Sequence, residues 1–203
     1  MMTTPDEGGH WGILGGTFDP VHHGHLNLAL QVAAGTGLDG VLLVPSFRHP
    51  FKEVCRASFE HRMEMLRRAT SDDDRFVVSG IEMDEDLPGY TIDSIRAIRK
   101  RYHYAVWSFI IGEDNLEELE RWRDPEAIFA EVRVLVGQRP PHQWSDYISR
   151  FPADRIEMVT IDMLDVSSTE IRRLLNEGVP GEELAELMPR SVVQYIKKHG
   201  LYE

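Results

Sequence analysis

The stretch of sequence that decides the fold is Trp11-Gly12-Ile13-Leu14-Gly15-Gly16-Thr17-Phe18-Asp19-Pro20-Val21-His22-His23-Gly24-His25. It starts with a short apolar run of the kind that forms a strand covered on both faces. Two glycines follow directly, and because they have no Cβ, their backbone N–H groups can approach a ligand closely. The end of the stretch enters a helical pattern, so a helix N-terminus with unpaired N–H groups faces the same turn. The stretch therefore predicts a strand, an anion-binding turn and a helix.

Short apolar runs alternate with helical patterns along the rest of the chain. The further predicted strands are Val41–Val44, Phe76–Ile81, Val106–Ile111, Val132–Val136 and Ile156–Ile161. Predicted helices lie between them, including one that begins at Pro125 and a last one over Ser191–His199. This alternation predicts an α/β fold, a single Rossmann-like doubly wound and mostly parallel sheet with helices on both faces. Such sheets bind ligands at the carboxyl ends of their strands.

Length and composition predict one domain over residues 11–203, preceded by a flexible N-terminal tail over residues 1–10. The chain has 203 residues, and 22 Lys and Arg against 34 Asp and Glu give a formal net charge of -12. So acidic a surface repels a phosphate backbone, and we expect no nucleic-acid partner. The single cysteine, Cys55, cannot form an internal disulfide, which favours a reducing cytoplasmic location. No apolar run approaches the roughly 20 residues of a membrane span, so we expect no membrane partner.

Two histidines at the helix start are candidates for phosphate chemistry. His22 and His25 are three residues apart, so both project to one side of the first helical turn. Imidazoles there can donate hydrogen bonds to phosphate oxygens where a leaving pyrophosphate develops charge. A metal site that adds His23 and Asp19 stays an alternative, although a structural zinc site usually includes cysteines. Neither the G-x-G-x-x-G fingerprint, a P-loop nor a G-x-S-x-G elbow occurs at this turn.

Two sequence motifs resemble those of a known enzyme family. Gly15–His25 resembles the signature of the nucleotidyltransferase superfamily, whose core is His-x-Gly-His, and its extended form resembles the nicotinate-nucleotide adenylyltransferase family. Val166–Arg172 resembles the second family signature, Ile-Ser-Ser-Thr-x-Ile-Arg. The resemblance implies that the chain transfers the adenylyl group of ATP to nicotinate mononucleotide, giving deamido-NAD and pyrophosphate.

The ATP half of the predicted site comes from both signatures. The resemblance implies catalytic roles for His22, His25, Lys52 and Arg172. It places ATP against Gly15, Gly16, Thr17, Phe18, Asp19, Gly24, Ser168 and Thr169. The spacing supports Arg172, because a guanidinium four residues after Ser168 lies on the same helix face and suits a triphosphate. Lys52 is at the family's lysine position, and Arg62 is expected as its structural neighbour without a role of its own.

The acceptor half rests on shorter matches. Tyr90-Thr91-Ile92-Asp93 and Gly112-Glu113-Asp114 resemble family motifs, which implies that Thr91, Gly112, Asp114 and Trp122 contact the acceptor nucleotide. From the residues alone, Thr91 is equally a helix cap and Trp122 equally a packing residue. The sequence departs from the family pattern at three places, Phe51, Arg123 and Pro140-Pro141.

The implied reaction leaves other functions open. A phosphate monoester is largely dianionic at neutral pH, so no general base is required, and we expect Mg²⁺ to travel with ATP on phosphate oxygens and water. Alternatives are an adenylyltransferase of the same fold for nicotinamide mononucleotide or another small phosphate, and a non-catalytic nucleotide-binding regulatory module. The net charge and the length argue against a tRNA-dependent enzyme. The oligomeric state and the preference for acid over amide do not follow from the sequence.

Overall fold

The computed structural model describes residues 4–48, 55–116, 118–140 and 145–202. Its strands are β1 His10–Gly16, β2 Gly40–Pro45, β3 Phe76–Val78, β4 Val106–Gly112, β5 Arg133–Gln138 and β6 Ile156–Thr160. Its helices are α1 His23–Thr36, α2 Phe59–Ala69, α3 Ile81–Asp84, α4 Thr91–Arg101, α5 Glu113–Leu116, the 3-10 turn η1 Leu119–Arg121, α6 Pro125–Glu131, α7 Ser145–Ile148, α8 Ser168–Asn176, α9 Gly181–Leu184 and α10 Arg190–His199. None of these described helices is long and apolar enough to cross a membrane.

All six strands of the described chain form one parallel sheet in the order β3-β2-β1-β4-β5-β6. The first strand is central, and Ile13 lies opposite Leu42 of β2 on one side and Phe109 of β4 on the other. The chain runs outward from β1 to β3 and then returns to β4, so the strand order reverses beside β1. This is the switch point at which a doubly wound sheet binds ligands. The predicted α/β architecture is confirmed.

Helices cover the sheet on both faces and divide the core into two apolar clusters. One cluster contains Leu14 and packs under α1, α2, α8 and α10. The other contains the neighbouring Ile13 and packs under α4 and α6. Successive strand residues point to opposite faces, which is why adjacent apolar residues enter different clusters. The nearly continuous apolar runs of the sequence are explained by this two-sided burial.

Several predicted helix ends are present, with their expected chemistry. The carboxylate of Asp124 accepts a hydrogen bond from the N–H of Ala127 ahead of α6. The side chain of Ser167 does the same for the N–H of Glu170 at the start of α8. Gly200 ends α10 with φ 58°, a left-handed conformation that glycine adopts without a steric cost.

The predicted third strand was wrong at its end. The strand stops at Val78, and Ile81 begins α3 instead of closing the strand. The hydroxyl of Ser79 accepts a hydrogen bond from the N–H of Ile81, and Gly80 follows it. A serine that binds nearby backbone in this way competes with the ladder of a sheet, and the apolar pattern alone does not reveal it.

Candidate active site

The loop that follows β1 lies at the switch point, beside the carboxyl end of β4. Phe18 is buried, with 1% of its surface exposed and a positive φ of 51°, which is uncommon for a residue with a Cβ. A Cβ at Gly16 would lie 3.0 Å from the Phe18 ring, so a larger residue here would press on the ring over which the loop folds. Gly15 is exposed, and Gly16 and Thr17 are partly exposed. The loop therefore offers its backbone to solvent and its aromatic ring to the core.

The two predicted histidines lie together at the start of α1. Their rings are stacked with centroids 3.7 Å apart, and the ring of Phe18 meets His25 edge-on at 4.9 Å. The backbone N–H of His22 donates to Nδ1 of His25 over 3.3 Å. Because Nδ1 accepts this hydrogen bond, a neutral His25 carries its proton on Nε2, where it can be donated to a ligand.

Burial keeps both histidines neutral in the free protein. Desolvation, and then the neighbouring His23, lower the pKa of His22 from 6.5 to about 4. Desolvation, and then His22, lower the pKa of His25 well below its ordinary value. Nδ1 of His22 is buried without a hydrogen-bond partner in the described part of the chain. Such an unpaired polar atom costs free energy until water or a ligand reaches it.

The second signature is joined to the first by hydrogen bonds. The hydroxyl of Ser168 donates to the carbonyl oxygen of Pro20 over 2.9 Å. Nη1 of Arg172 donates to the carbonyl oxygen of Asp19 over 2.7 Å, and Nη2 donates to the Thr169 hydroxyl over 3.1 Å. A guanidinium has five N–H donors, so these bonds leave donors for a ligand. The structure thus brings together two turns that are far apart in the sequence.

Gly24 lies between the imidazole of His22 and the backbone that precedes α8. A Cβ at this position would lie 3.0 Å from Nδ1 of His22 and 3.4 Å from the carbonyl oxygen of Val166. The glycine of His-x-Gly-His therefore leaves room for one imidazole and for the backbone that precedes α8.

The carboxylate of Asp19 holds surrounding backbone together. It accepts hydrogen bonds from the N–H groups of Arg56 at 2.7 Å and Ala57 at 3.1 Å, and from the Tyr202 hydroxyl at 2.6 Å. Burial, and then this carboxylate, raise the pKa of Tyr202. Contact between Asp19 and ATP stays a prediction that involves its backbone, because the side chain is engaged elsewhere. Among the described residues, no three His, Cys, Asp or Glu side chains are grouped to hold a metal ion.

Lys52 and Phe51 lie outside the described residues, but the chain on either side of them is held in place. Arg62 of α2 binds Thr17, Ser46 and Ala57 through their carbonyl oxygens. Sequence reasoning gave Arg62 no role of its own. A signal was present, because Arg62 is a charged residue at helical spacing among the buried, apolar positions of α2.

The predicted acceptor residues come from four separate places in the fold. Thr91 is the first residue of α4, Gly112 ends β4, Asp114 is exposed in α5, and Trp122 follows η1. Tyr90, rather than Thr91, is the N-cap residue of α4, so the interpretation of Thr91 as a cap was wrong.

Ring contacts connect parts of this acceptor group. The partly buried Trp122 meets Phe109 edge-on, with ring centroids 6.0 Å apart. The guanidinium of Arg123 lies 4.6 Å from the centroid of the Tyr90 ring. These contacts bring the start of α4 close to the segment that carries Trp122.

Sequence reasoning missed an ion pair between the ends of β4 and β5. Glu113 is 3% exposed and accepts from Nε of Arg139 at 3.1 Å and from its N–H at 3.3 Å. The hydrogen bond to this carboxylate raises the pKa of Arg139, and the smaller effect of desolvation opposes it. The only signal in the sequence was the position of Glu113 between Gly112 and Asp114, directly after a predicted strand.

Comparison with known proteins identifies the family of the chain. The cytidylyltransferase-like family model matches residues 13–174. A probable nicotinate-nucleotide adenylyltransferase of Leifsonia xyli is 39% identical over 191 residues, which cover 94% of this chain and 92% of that protein. A probable nicotinate-nucleotide adenylyltransferase of a Nocardioides species is 41% identical over 192 residues, with 93% and 92% covered. The chain belongs to the nicotinate-nucleotide adenylyltransferase family.

Solved structures show the same fold at low sequence identity. A Plasmodium falciparum nicotinic acid mononucleotide adenylyltransferase complexed with NaAD matches with a TM-score of 0.79 and 18% identity, over 96% of this chain and 97% of that one. The family membership that was expected from Gly15–His25 and Val166–Arg172 is confirmed. Both signatures of the nicotinate-nucleotide adenylyltransferase family lie within the matched range 13–174.

Proposed function

We propose that this protein transfers the adenylyl group of ATP to nicotinate mononucleotide, giving deamido-NAD and pyrophosphate. One observation carries the proposal. Two hydrogen bonds, Ser168 to Pro20 and Arg172 to Asp19, span 148 and 153 residues and join the turns that the sequence predicts to bind a triphosphate. Relatives that are 39% and 41% identical over nearly the whole chain carry the name of this activity.

The chemistry asks the protein for alignment and charge neutralisation. The acceptor phosphate has a second pKa of about 6, so it attacks the α-phosphorus of ATP without a general base. Pyrophosphate leaves from the opposite side, in line with the attack. We assign the oxygens on which negative charge grows to Nε2–H of His25 and to the donors of Arg172 that its protein contacts leave over.

A bound triphosphate opposes the burial that lowers the pKa values of His22 and His25 in the free protein. A nearby triphosphate favours the imidazolium form, so the pKa values of His22 and His25 rise on binding. Mg²⁺ is assigned to phosphate oxygens and water. The described residues offer no group of three ligands for it, and no residue of the chain is given to the ion.

The acceptor nucleotide is assigned to the far side of the switch point. The ring of Trp122 offers a face for the pyridine ring, the N–H of Thr91 a donor for the carboxylate, and Asp114 an acceptor for ribose hydroxyls.

A cytoplasmic location and a flexible tail over residues 1–10 also stay predictions. The first strand begins at His10, and the N–H of Gly8 donates to the carbonyl oxygen of Tyr104 over 2.9 Å.

Pyrophosphate release tests the function directly. Purified protein, ATP and Mg²⁺ are mixed with nicotinate mononucleotide or with nicotinamide mononucleotide, and the dinucleotide product is identified by mass spectrometry. We expect release with the acid and a product of the mass of deamido-NAD. Faster pyrophosphate release with the amide would make nicotinamide mononucleotide the acceptor. ATP binding without pyrophosphate release in the presence of either mononucleotide would indicate a regulatory module.

A further inference from the structure

Two charged side chains are buried between the predicted substrate sites. Arg62 of α2 is 1% exposed and Glu82 of α3 is 6% exposed. Buried charges cost free energy unless they are paired and hydrogen-bonded. Neither residue belongs to the ATP or the acceptor group described above, so their contacts need an explanation.

Arg62 binds three backbone carbonyls that belong to different segments. Nη1 donates to Thr17 over 2.7 Å, Nη2 to Ser46 over 2.8 Å, and Nε to Ala57 over 3.3 Å. Thr17 belongs to the loop after β1, and Ser46 directly follows β2. The planar fork of arginine fixes the directions of these bonds, which a lysine ammonium cannot do.

Glu82 holds the other side of the same backbone. One carboxylate oxygen accepts the N–H of Phe47 at 2.9 Å, and the other accepts the Ser94 hydroxyl at 2.6 Å. Burial raises the pKa of Glu82, whereas these hydrogen bonds and Arg62 lower it. The carbonyl of Ser46 and the N–H of Phe47 belong to one peptide group, so that group lies between the guanidinium and the carboxylate.

The contacts form a continuous path between the two sides of the site. It runs from Thr17 through Arg62 to the Ser46–Phe47 peptide group, and from there through Glu82 to Ser94 of α4. Ser94 lies one helical turn after Thr91, the residue assigned to the acceptor. A fixed chain of short hydrogen bonds therefore connects the ATP loop to the helix beside the acceptor.

We propose that Arg62 and Glu82 are positioning residues that set the ATP loop and helix α4 at the separation required for in-line transfer. The inference rests on the proposed function, because it concerns the alignment of the same two substrates. Neither side chain touches substrate; both act through backbone and through Ser94. Misplacing the reacting groups by about 1 Å can lower the rate about a hundredfold. We therefore expect loss of these positioning contacts to lower kcat and to leave the affinity for ATP nearly unchanged.

Three variants separate positioning from stability. Arg62→Lys keeps the charge but does not reproduce the planar fork that binds three carbonyls. Ser94→Ala removes the hydrogen bond between α4 and Glu82, together with a long contact of 3.5 Å from the same hydroxyl to the carbonyl oxygen of Tyr90. Arg155→Lys is the matched control, because Arg155 also binds two backbone carbonyls, those of Phe129 and Ala130, ahead of β5 and β6 at the opposite end of the sheet. For each we would measure Tm, the Kd of ATP by calorimetry, and kcat from pyrophosphate release.

We expect kcat to fall about a hundredfold in Arg62→Lys and about tenfold in Ser94→Ala, with the Kd of ATP nearly unchanged. Arg155→Lys lowers Tm and leaves kcat at the wild-type value. Wild-type kcat in folded Arg62→Lys or in Ser94→Ala overturns the inference. If Arg62→Lys does not fold, Ser94→Ala decides alone. A wild-type protein that releases no pyrophosphate refutes the proposed function, and the inference then falls with it.

Two substitutions of Glu82 test whether its hydrogen bonds are what supports kcat. Glutamine can accept the Phe47 N–H and donate to the Ser94 hydroxyl, so Glu82→Gln keeps both hydrogen bonds, whereas Glu82→Ala loses them. We expect Glu82→Gln to retain most of kcat and Glu82→Ala to lose about tenfold or more. Equal kcat values in the two variants contradict the positioning role.

Discussion

The ATP side and the acceptor side of the candidate site are held in different ways. We use these terms for residues 15–25 with 168–172, and for Thr91, Gly112, Asp114 and Trp122. On the ATP side, direct hydrogen bonds join the two signatures, Ser168 to Pro20 and Arg172 to Asp19. On the acceptor side, the segment that carries Trp122 is held by ring contacts, Trp122 with Phe109 and Arg123 with Tyr90. The hydrogen bonds of this side involve neighbouring residues, Glu113 with Arg139 and Ser94 with Glu82.

The difference suits the substrate assigned to each side. A triphosphate needs several donors at fixed directions, and turns joined to each other by short polar contacts can supply them. A pyridine ring needs an aromatic face, and a flat face tolerates small displacements. We infer that changes on the ATP side act mainly on kcat, and that changes on the acceptor side act mainly on the acceptor KM.

The largest effect is expected for His25→Ala. Loss of the Nε2 donor should lower kcat by about 10²–10³-fold, as for other donors aimed at developing negative charge. His23→Ala is the control, because this neighbour is only partly exposed and lies next to the same turn without an assigned contact to ATP. The rate of pyrophosphate release gives kcat, and a melting curve confirms that both variants fold. Equal kcat values for the two variants would refute the assignment of His25.

Arg172→Ala comes next and has an adjacent control. We expect a fall in kcat of about a hundredfold, because the guanidinium is assigned to the triphosphate and also joins α8 to Asp19. Arg173→Ala removes an exposed arginine that pairs instead with Glu170 and Glu177. That variant should keep wild-type kcat, since exposed ion pairs contribute little. A similar loss of kcat in both variants contradicts a specific role for Arg172.

The buried histidines predict how stability depends on pH. The pKa of His22 is about 4 in the folded protein and 6.5 when unfolded, so between these values the unfolded chain binds more protons. Stability is therefore complete above pH 6.5 and decreases as the pH falls towards 4, by up to about 3 kcal/mol from His22. Urea unfolding at several pH values measures this slope. His22→Gln should flatten it; an unchanged slope contradicts the burial of a neutral imidazole.

The smallest effect is expected on the acceptor side. Trp122→Ala should raise the KM for nicotinate mononucleotide about tenfold, because stacking of an aromatic base contributes about 1–3 kcal/mol. Trp122→Phe keeps an aromatic face and should recover most of the affinity. The Kd of ATP should be the same in wild type and both variants. A raised Kd of ATP in Trp122→Ala would remove the distinction between the two sides.

The ATP side was predictable because each of its two signatures is a short, uninterrupted string. Gly15–His25 forms the end of a strand, a turn and a helix start, and these local elements are readable from the sequence, whereas the hydrogen bonds from Arg62, Ser168 and Arg172 that hold the turn are not. The alternation of apolar runs likewise gave the parallel sheet, since a strand buried on both faces has to be apolar throughout. The end of the third strand was missed because the Ser79 hydroxyl accepts a hydrogen bond from the N–H of Ile81, which takes the place of continued pairing in the sheet. The apolar pattern of the sequence does not reveal such a side-chain contact.

Sequence by itself determined the family, the order of the elements and a set of residues that is predicted to bind a triphosphate. Only the tertiary structure decided what Asp19, Arg62 and Glu82 do. The carboxylate of Asp19 binds Tyr202, which is 183 residues away, and Arg62 reaches three separate carbonyls. The physical reason is that buried polar groups must find partners wherever the folded backbone presents them. Those partners come close only when the sheet and its helices have assembled.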